Sequence, residues 1–241
     1  MSAPNAEIEI LPHWVYTPAF PRILPFALFV GFVAASVLLP SPEPVLPGTF
    51  DSRWLYAGRA VIVGMVLIVL WRRFAELRNE LRMAATEWVL AIASGAAVFV
   101  IWIYLDHGWM VIEAGAASGF DPRRYGSEQL HGPLTALRLI GLAIVVPIME
   151  ELFWRSFLMR WLEREDFLGV APGSVGMRAL AISSVLFAFE HSQWLAGLIA
   201  GAVYGWLYRR TGKLWVPIVS HAVTNATLGG WILATRDWRF W

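Results

Sequence analysis

The chain contains no cysteine. Disulfides, thiolate nucleophiles and thiolate zinc sites are therefore excluded, while histidine–carboxylate metal sites are not. Charge is scarce as well: 15% of the 241 residues are Asp, Glu, Lys or Arg, against about 25% in a soluble domain. A formal net charge of +1 points to no strongly acidic or basic partner, and nothing suggests nucleic-acid binding. No internal repeat and no HExxH zinc signature occurs. A cleavable signal peptide would have a positive n-region. Here Glu7 and Glu9 precede the first apolar run and Arg22 is the only cation before it, so that run reads as a retained helix.

Apolar residues are abundant and gathered into runs. The hydrophobic fraction is 58% and the mean hydropathy +0.57. Fourteen Trp suit anchoring at the headgroup level. A membrane-spanning helix needs about 20 mostly apolar residues. Candidate spans cover 23–39, 55–71, 88–105, a run from 134 onward, 178–191, 194–208 and 214–233. Pro147 lies inside the fourth and can kink or divide it. The expected fold is all-α, a polytopic transmembrane bundle of seven spans, or eight if Pro147 divides the fourth. Residues 1–133 supply N-terminal helices and loops and 134–241 the core, in one continuous membrane domain. Gly197, Gly201 and Gly205 recur every four residues, a face that lets helix backbones approach closely.

Cationic residues favour the cytoplasmic loops. Arg72, Arg73, Arg78 and Arg82 follow the second run, Arg160, Arg164 and Arg178 flank the connector after the fourth, and Arg209, Arg210 and Lys213 follow the sixth. With seven spans these connectors share one side, while the loop 106–133 lies on the other, where Arg123 and Arg124 weaken the asymmetry. The expectation is an integral protein of a bacterial inner membrane with a cytoplasmic N-terminus. At about 1.5 Å per residue, Glu150, His191, His221 and Asn225 fall in one layer roughly 12–20 Å deep. That layer is expected to be accessible from the cytoplasmic side.

Three polar clusters interrupt the apolar runs. An intramembrane charge costs roughly 2.5–3.5 kcal/mol on insertion scales, so such residues mark function by default. In the stretch from Glu150 to Arg155, Glu151 and Arg155 stand i,i+4 with the acid first, the favourable order for an ion pair. Glu150 points about 100° away and is free to face a cavity as a general base. Phe187 and His191 also stand i,i+4, giving an imidazole beside a ring able to exclude water; Glu190, one position off that face, gets no role. His221 and Asn225 stand i,i+4 too, and imidazole N–H and amide NH₂ are suitable donors to an oxyanion. Each cluster alone has a bland reading: an ion-pair network, an interfacial histidine, an interhelical hydrogen bond.

Taken in order, the three clusters resemble the EExxxR, FxxxH and HxxxN pattern of the CPBP (CAAX protease and bacteriocin-processing) family, which includes type II CAAX prenyl endopeptidases. Residues 208–212 and 215–217, before His221, are similar to that family too, and the likeness covers roughly 134–233. The N-terminal half resembles CAAX-protease-related proteins of exosortase-using bacteria. The resemblance implies an intramembrane endopeptidase acting on a membrane-tethered or lipidated protein within the lipid bilayer. It assigns Glu150 as catalytic glutamate, His191 as helper in activating water, His221 and Asn225 as the oxyanion pair, and Glu151, Arg155 and Phe187 as support. No cofactor is expected, zinc held by Glu150, His191 and His221 being the alternative. Two other functions fit the same residues: a non-proteolytic binding or immunity protein that retains the site, and a transporter with a proton relay. No inverted repeat supports the transporter.

Overall fold

A computed structural model describes residues 12–38, 53–79, 82–112 and 132–240. Among these residues it contains eight helices and no strand. They are α1 (Phe20–Leu38), α2 (Arg53–Val69), the short α3 (Ala75–Asn79), α4 (Ala85–Tyr104), α5 (Gly132–Trp161), α6 (Met177–Ala188), α7 (Trp194–Thr211) and α8 (Trp215–Thr235). The expected all-α class is met. The loop arginines Arg123 and Arg124 lie outside the described residues.

Two helices, α4 and α5, are long and apolar enough to cross a bilayer, and α1, α2 and α6 contain shorter apolar stretches. Only 17% of the most apolar window of α4 is buried inside the protein. A core helix of a water-soluble protein would be mostly buried. Instead α2 and α4 expose large apolar side chains such as Ile68, Val69 and Val89, more apolar surface than an aqueous monomer normally presents.

Pro147 does not divide α5, which runs unbroken from Gly132 to Trp161. The helix instead widens into π-turns at Gly141–Val145 and Leu152–Leu158, flanking the α-helical Val146–Glu151. Widening before the proline relieves the clash its ring would make with a regular α-turn.

Small residues set the packing. A Cβ on Gly95 of α4 would lie 2.3 Å from the Ser220 carbonyl oxygen of α8, so the two backbones nearly touch. Ser94 and Ser220 hydroxyls meet there at 3.0 Å. The glycine face of α7 seats against α6: a Cβ would meet Ala188 at 3.2 Å from Gly197, Ser184 at 3.0 Å from Gly201, and Leu180 at 2.4 Å from Gly205. Helix α7 stops at Gly212, which takes the left-handed conformation at φ 72°, where a Cβ would be strained.

Buried ions tie α1, α3 and α5 together. Arg22 donates to both carboxylate oxygens of Glu76, from Nε at 2.8 Å and from a terminal nitrogen at 2.6 Å. The Ser156 hydroxyl donates to the same carboxylate. Burial pushes the Glu76 carboxyl up, but the Arg22 bonds and charge more than offset it and hold it below its ordinary value.

Candidate active site

Glu151 is fully buried, and one of its oxygens is the hub of the site. It accepts Arg155 Nη1 at 2.9 Å and His221 Nδ1 at 3.0 Å. The ion pair expected from the i,i+4 spacing is present. Arg155 also donates to the Gly201 carbonyl at 3.2 Å. Its guanidinium lies 4.5 Å from the Phe187 ring centroid and 5.4 Å from that of Tyr204, contacts favourable to a cation.

His221 is thereby oriented. An ionised carboxylate only accepts, so Nδ1 carries the proton towards Glu151 and Nε2 is the accepting nitrogen. Tyr204 stacks on the imidazole with centroids 4.8 Å apart and planes 18° from parallel. The Tyr204 hydroxyl donates to Thr224 at 2.8 Å, and Thr224 donates to the Gly95 carbonyl at 2.9 Å.

Glu150 is 6% exposed. Its Oε2 has no hydrogen-bond partner and lies 4.0 Å from His221 Nε2. Glu150 lines a cavity of about 570 Å³ together with His191, His221, Asn225, Phe187 and Tyr204, within the usual range for small-molecule sites. All four residues expected to share a layer thus border one cavity.

Asn225 spends one amide proton on structure, donating to the Leu142 carbonyl at 2.9 Å. In the first π-turn Val146 N–H bonds Gly141 O, five residues back. The next donor in that register would be Pro147, which has no N–H. Asn225 supplies the bond that the proline cannot, and keeps a second N–H.

Two expectations need correction. Phe187 and His191 do not share a helix face, because α6 ends at Ala188. Its last turn unwinds into the polar sequence Glu190–Gln193, and His191 Nδ1 instead donates to the Phe187 carbonyl at 2.9 Å. The depth counted for His191 along an unbroken helix falls with that face, although its ring still lies 4.8 Å from Phe187. Glu190, given no role, lines the cavity and accepts Trp154 Nε1 at 3.0 Å. The cavity lining extends from Tyr204 and His221 towards Arg138, Ser192, Gln193 and Arg239.

Tyr204 and Trp154 were not legible as site residues; a hydroxyl-bearing aromatic one residue before Gly205 was the only hint of the first. Among the described residues no three His, Asp or Glu side chains approach closely enough to share a metal ion, so Glu150, His191 and His221 are not arranged as a ligand set here.

Residues 132–227 match the family model described as "Type II CAAX prenyl endopeptidase Rce1-like". A Bacillus subtilis (strain 168) protein named "Putative membrane peptidase YdiL" is 26% identical over 139 residues, 52% of this chain and 53% of that protein. The chain thus spans about half the length of the curated relative it matches. No solved structure matches. The family match contains Glu150, His191, His221 and Asn225.

Proposed function

We propose that this chain belongs to the CPBP protease family, on its match over 132–227 and its likeness to a membrane peptidase, and that it is an intramembrane endopeptidase. It cleaves a peptide bond of a membrane-tethered or lipidated protein. The carrying observation is the buried Glu150 carboxylate, which lines the cavity and has an unpartnered oxygen 4.0 Å from His221 Nε2.

A water about 2.8 Å from both Glu150 Oε2 and His221 Nε2 bridges their 4.0 Å separation. Glu150 takes its proton as the oxygen attacks the substrate carbonyl. The carbonyl π electrons move onto oxygen, and the second N–H of Asn225 faces that charge. The C–N bond then breaks as the proton passes from Glu150 to the leaving amine. His221 cannot donate to the oxyanion while Nε2 is unprotonated. It accepts from the water through Nε2, with Nδ1–H held by Glu151, which leaves Asn225 as the oxyanion donor. His191, its Nδ1 occupied by Phe187, offers Nε2 as a second acceptor to position the water.

The helices α1, α2, α4, α5, α6, α7 and α8 act as seven spans in a bacterial inner membrane, with the N-terminus cytoplasmic. The mechanism uses no cofactor. The test compares membrane-protein fragments by mass spectrometry between cells carrying the intact chain and a Glu150→Gln variant at equal level. A fragment missing only in the variant is expected, and it identifies the substrate. Identical fragments, with biological function kept, would sink the protease reading in favour of a binding or immunity role.

A further inference from the structure

Three arginines buried in the bundle are satisfied. Arg22 pairs with Glu76 and Arg155 with Glu151, and Arg160 donates to the Val170 and Leu168 carbonyls. Arg59 of α2 is not. It is half-buried, and its Nε is shut off from solvent with no acceptor. Its guanidinium lies 4.2 Å from the Phe29 ring centroid and 4.3 Å from that of Tyr56. Rings stabilise a cation without neutralising it, and among the described residues no carboxylate pairs with Arg59. In a membrane-spanning helix an uncompensated charge marks function by default.

Arg59 lines the same cavity as Glu150. So do Arg138, Leu142 and Val146, which with Glu150 recur every four residues along α5, so the cavity follows one face of that helix. Helix α2 meets α5 beside Arg59: a Cβ on Gly141 would lie 2.9 Å from the Ala60 Cβ. The rise along α5 from Gly141 to Glu150 is about 13 Å. An extended peptide covers that distance in about four residues. Arg239 also lines the cavity, but it pairs with Asp106 at 3.0 Å and Asp237 at 2.6 Å. Phe29, Tyr56 and Arg59 lie outside residues 132–227, the part of the chain that matches the family model.

We propose that Arg59 anchors an anion subsite, and that it binds a carboxylate of the substrate polypeptide about four residues from the scissile bond. The polypeptide as source of the carboxylate rests on the endopeptidase reading; the anion subsite does not. A guanidinium fork matches carboxylates and phosphates alike. The position of Arg59 favours the carboxylate. Its charge lines the cavity that holds Glu150, and its Nε is enclosed, whereas an arginine serving a headgroup phosphate extends to the interface. A substrate acid seated there would neutralise the charge and fix which bond lies at Glu150.

The test uses dodecanoylated tetrapeptides of three glycines and a last residue. That residue is glutamate with an amidated end, glutamine with a free end, or glutamine with an amidated end. Dodecyl phosphate is the fourth probe. Binding is read from the rise in Tm as the protein in non-ionic detergent is titrated with each. At least one carboxylate probe should bind the parent about 10–100-fold more tightly than the neutral one, and which of the two does so identifies a side-chain or a terminal carboxylate. Arg59→Gln should lose that preference while binding the neutral probe as before. Should Arg59→Gln not fold, Arg59→Lys carries the reading: without the fork, carboxylate binding should weaken and neutral binding should not. Equal binding of carboxylate and neutral probes by the parent, or a preference that survives in Arg59→Gln, would overturn the proposal. An Arg59-dependent preference for dodecyl phosphate over both carboxylates would overturn it in favour of a lipid headgroup. Glu150→Gln should keep the carboxylate preference, so a failure of hydrolysis and a failure of this subsite are read separately.

Discussion

Adjacent glutamates in one helix should give opposite stability signatures. Glu151 is 0% exposed and its oxygen accepts both Arg155 and His221. Glu151→Gln strands the Arg155 charge, itself 1% exposed, and removing one partner of a buried ion pair costs about 3–5 kcal/mol. The amide oxygen still accepts one bond, so the lower end applies. With about 2–4 °C per kcal/mol for a chain of this size, Tm should fall by at least ~6 °C. Glu150 has no such partner for Oε2. Glu150→Gln replaces a buried carboxylate by a neutral group of the same shape, which removes a desolvation cost. Its Tm should stay level or rise. Processing should fall in both variants: by about 10²–10⁴-fold when the general base is lost, and by up to about 10⁴-fold when the imidazole loses its orienting acid. Thermal unfolding in detergent, followed by intrinsic Trp fluorescence, gives the stabilities, and fragment release gives the activities. Equal destabilisation by the two substitutions would refute the division of labour. So would a Glu150→Gln variant that still processes substrate.

Five further outcomes follow. Gly95→Ala places a Cβ 2.3 Å from the Ser220 carbonyl oxygen and should destabilise by about 1–3 kcal/mol. Gly58→Ala, with nothing within 4 Å, should be neutral or gain up to about 1 kcal/mol; unfolding midpoints decide both. Because the folded Glu76 carboxyl is held below its ordinary value, its contribution is complete above the unfolded value of about 4.3 and is lost as pH falls through the folded value. The Tm gap between the parent and Glu76→Gln should therefore shrink on acidification below about pH 4; a constant gap would contradict it. Asn225→Leu leaves the Leu142 carbonyl without its donor and should cost about 1–3 kcal/mol, with Pro147→Ala recovering part of it in a double-mutant cycle. Strong chelation should leave processing unchanged, and activity lost to chelator and restored by zinc would refute the metal-free mechanism.

Local spacing made part of the site legible. The i,i+4 rule holds within a continuous helix, and it works for Glu151 with Arg155 because α5 keeps both on one side despite its widened turns. For Phe187 and His191 the polar residues after Ala188 end the helix, a boundary that hydropathy does not mark, yet the two rings still meet at 4.8 Å. Tyr204 on His221, and Trp154 on Glu190, are contacts between different helices and leave no trace in local periodicity.

Pro147 shows how one residue links these scales. Read alone, it could only be a kink or a break. In the folded chain its missing N–H falls in a π-turn, and the carbonyl this deprives is the one that Asn225 bonds from α8. Holding Asn225 by one amide proton fixes the direction of the other. His221, one turn earlier on α8, is fixed in the same way by Glu151, four residues beyond Pro147. Helix α5 therefore sets both the oxyanion donor Asn225 and the water acceptor His221. A change that straightened its π-turn would move the donor from Asn225 without touching any residue of the three motifs.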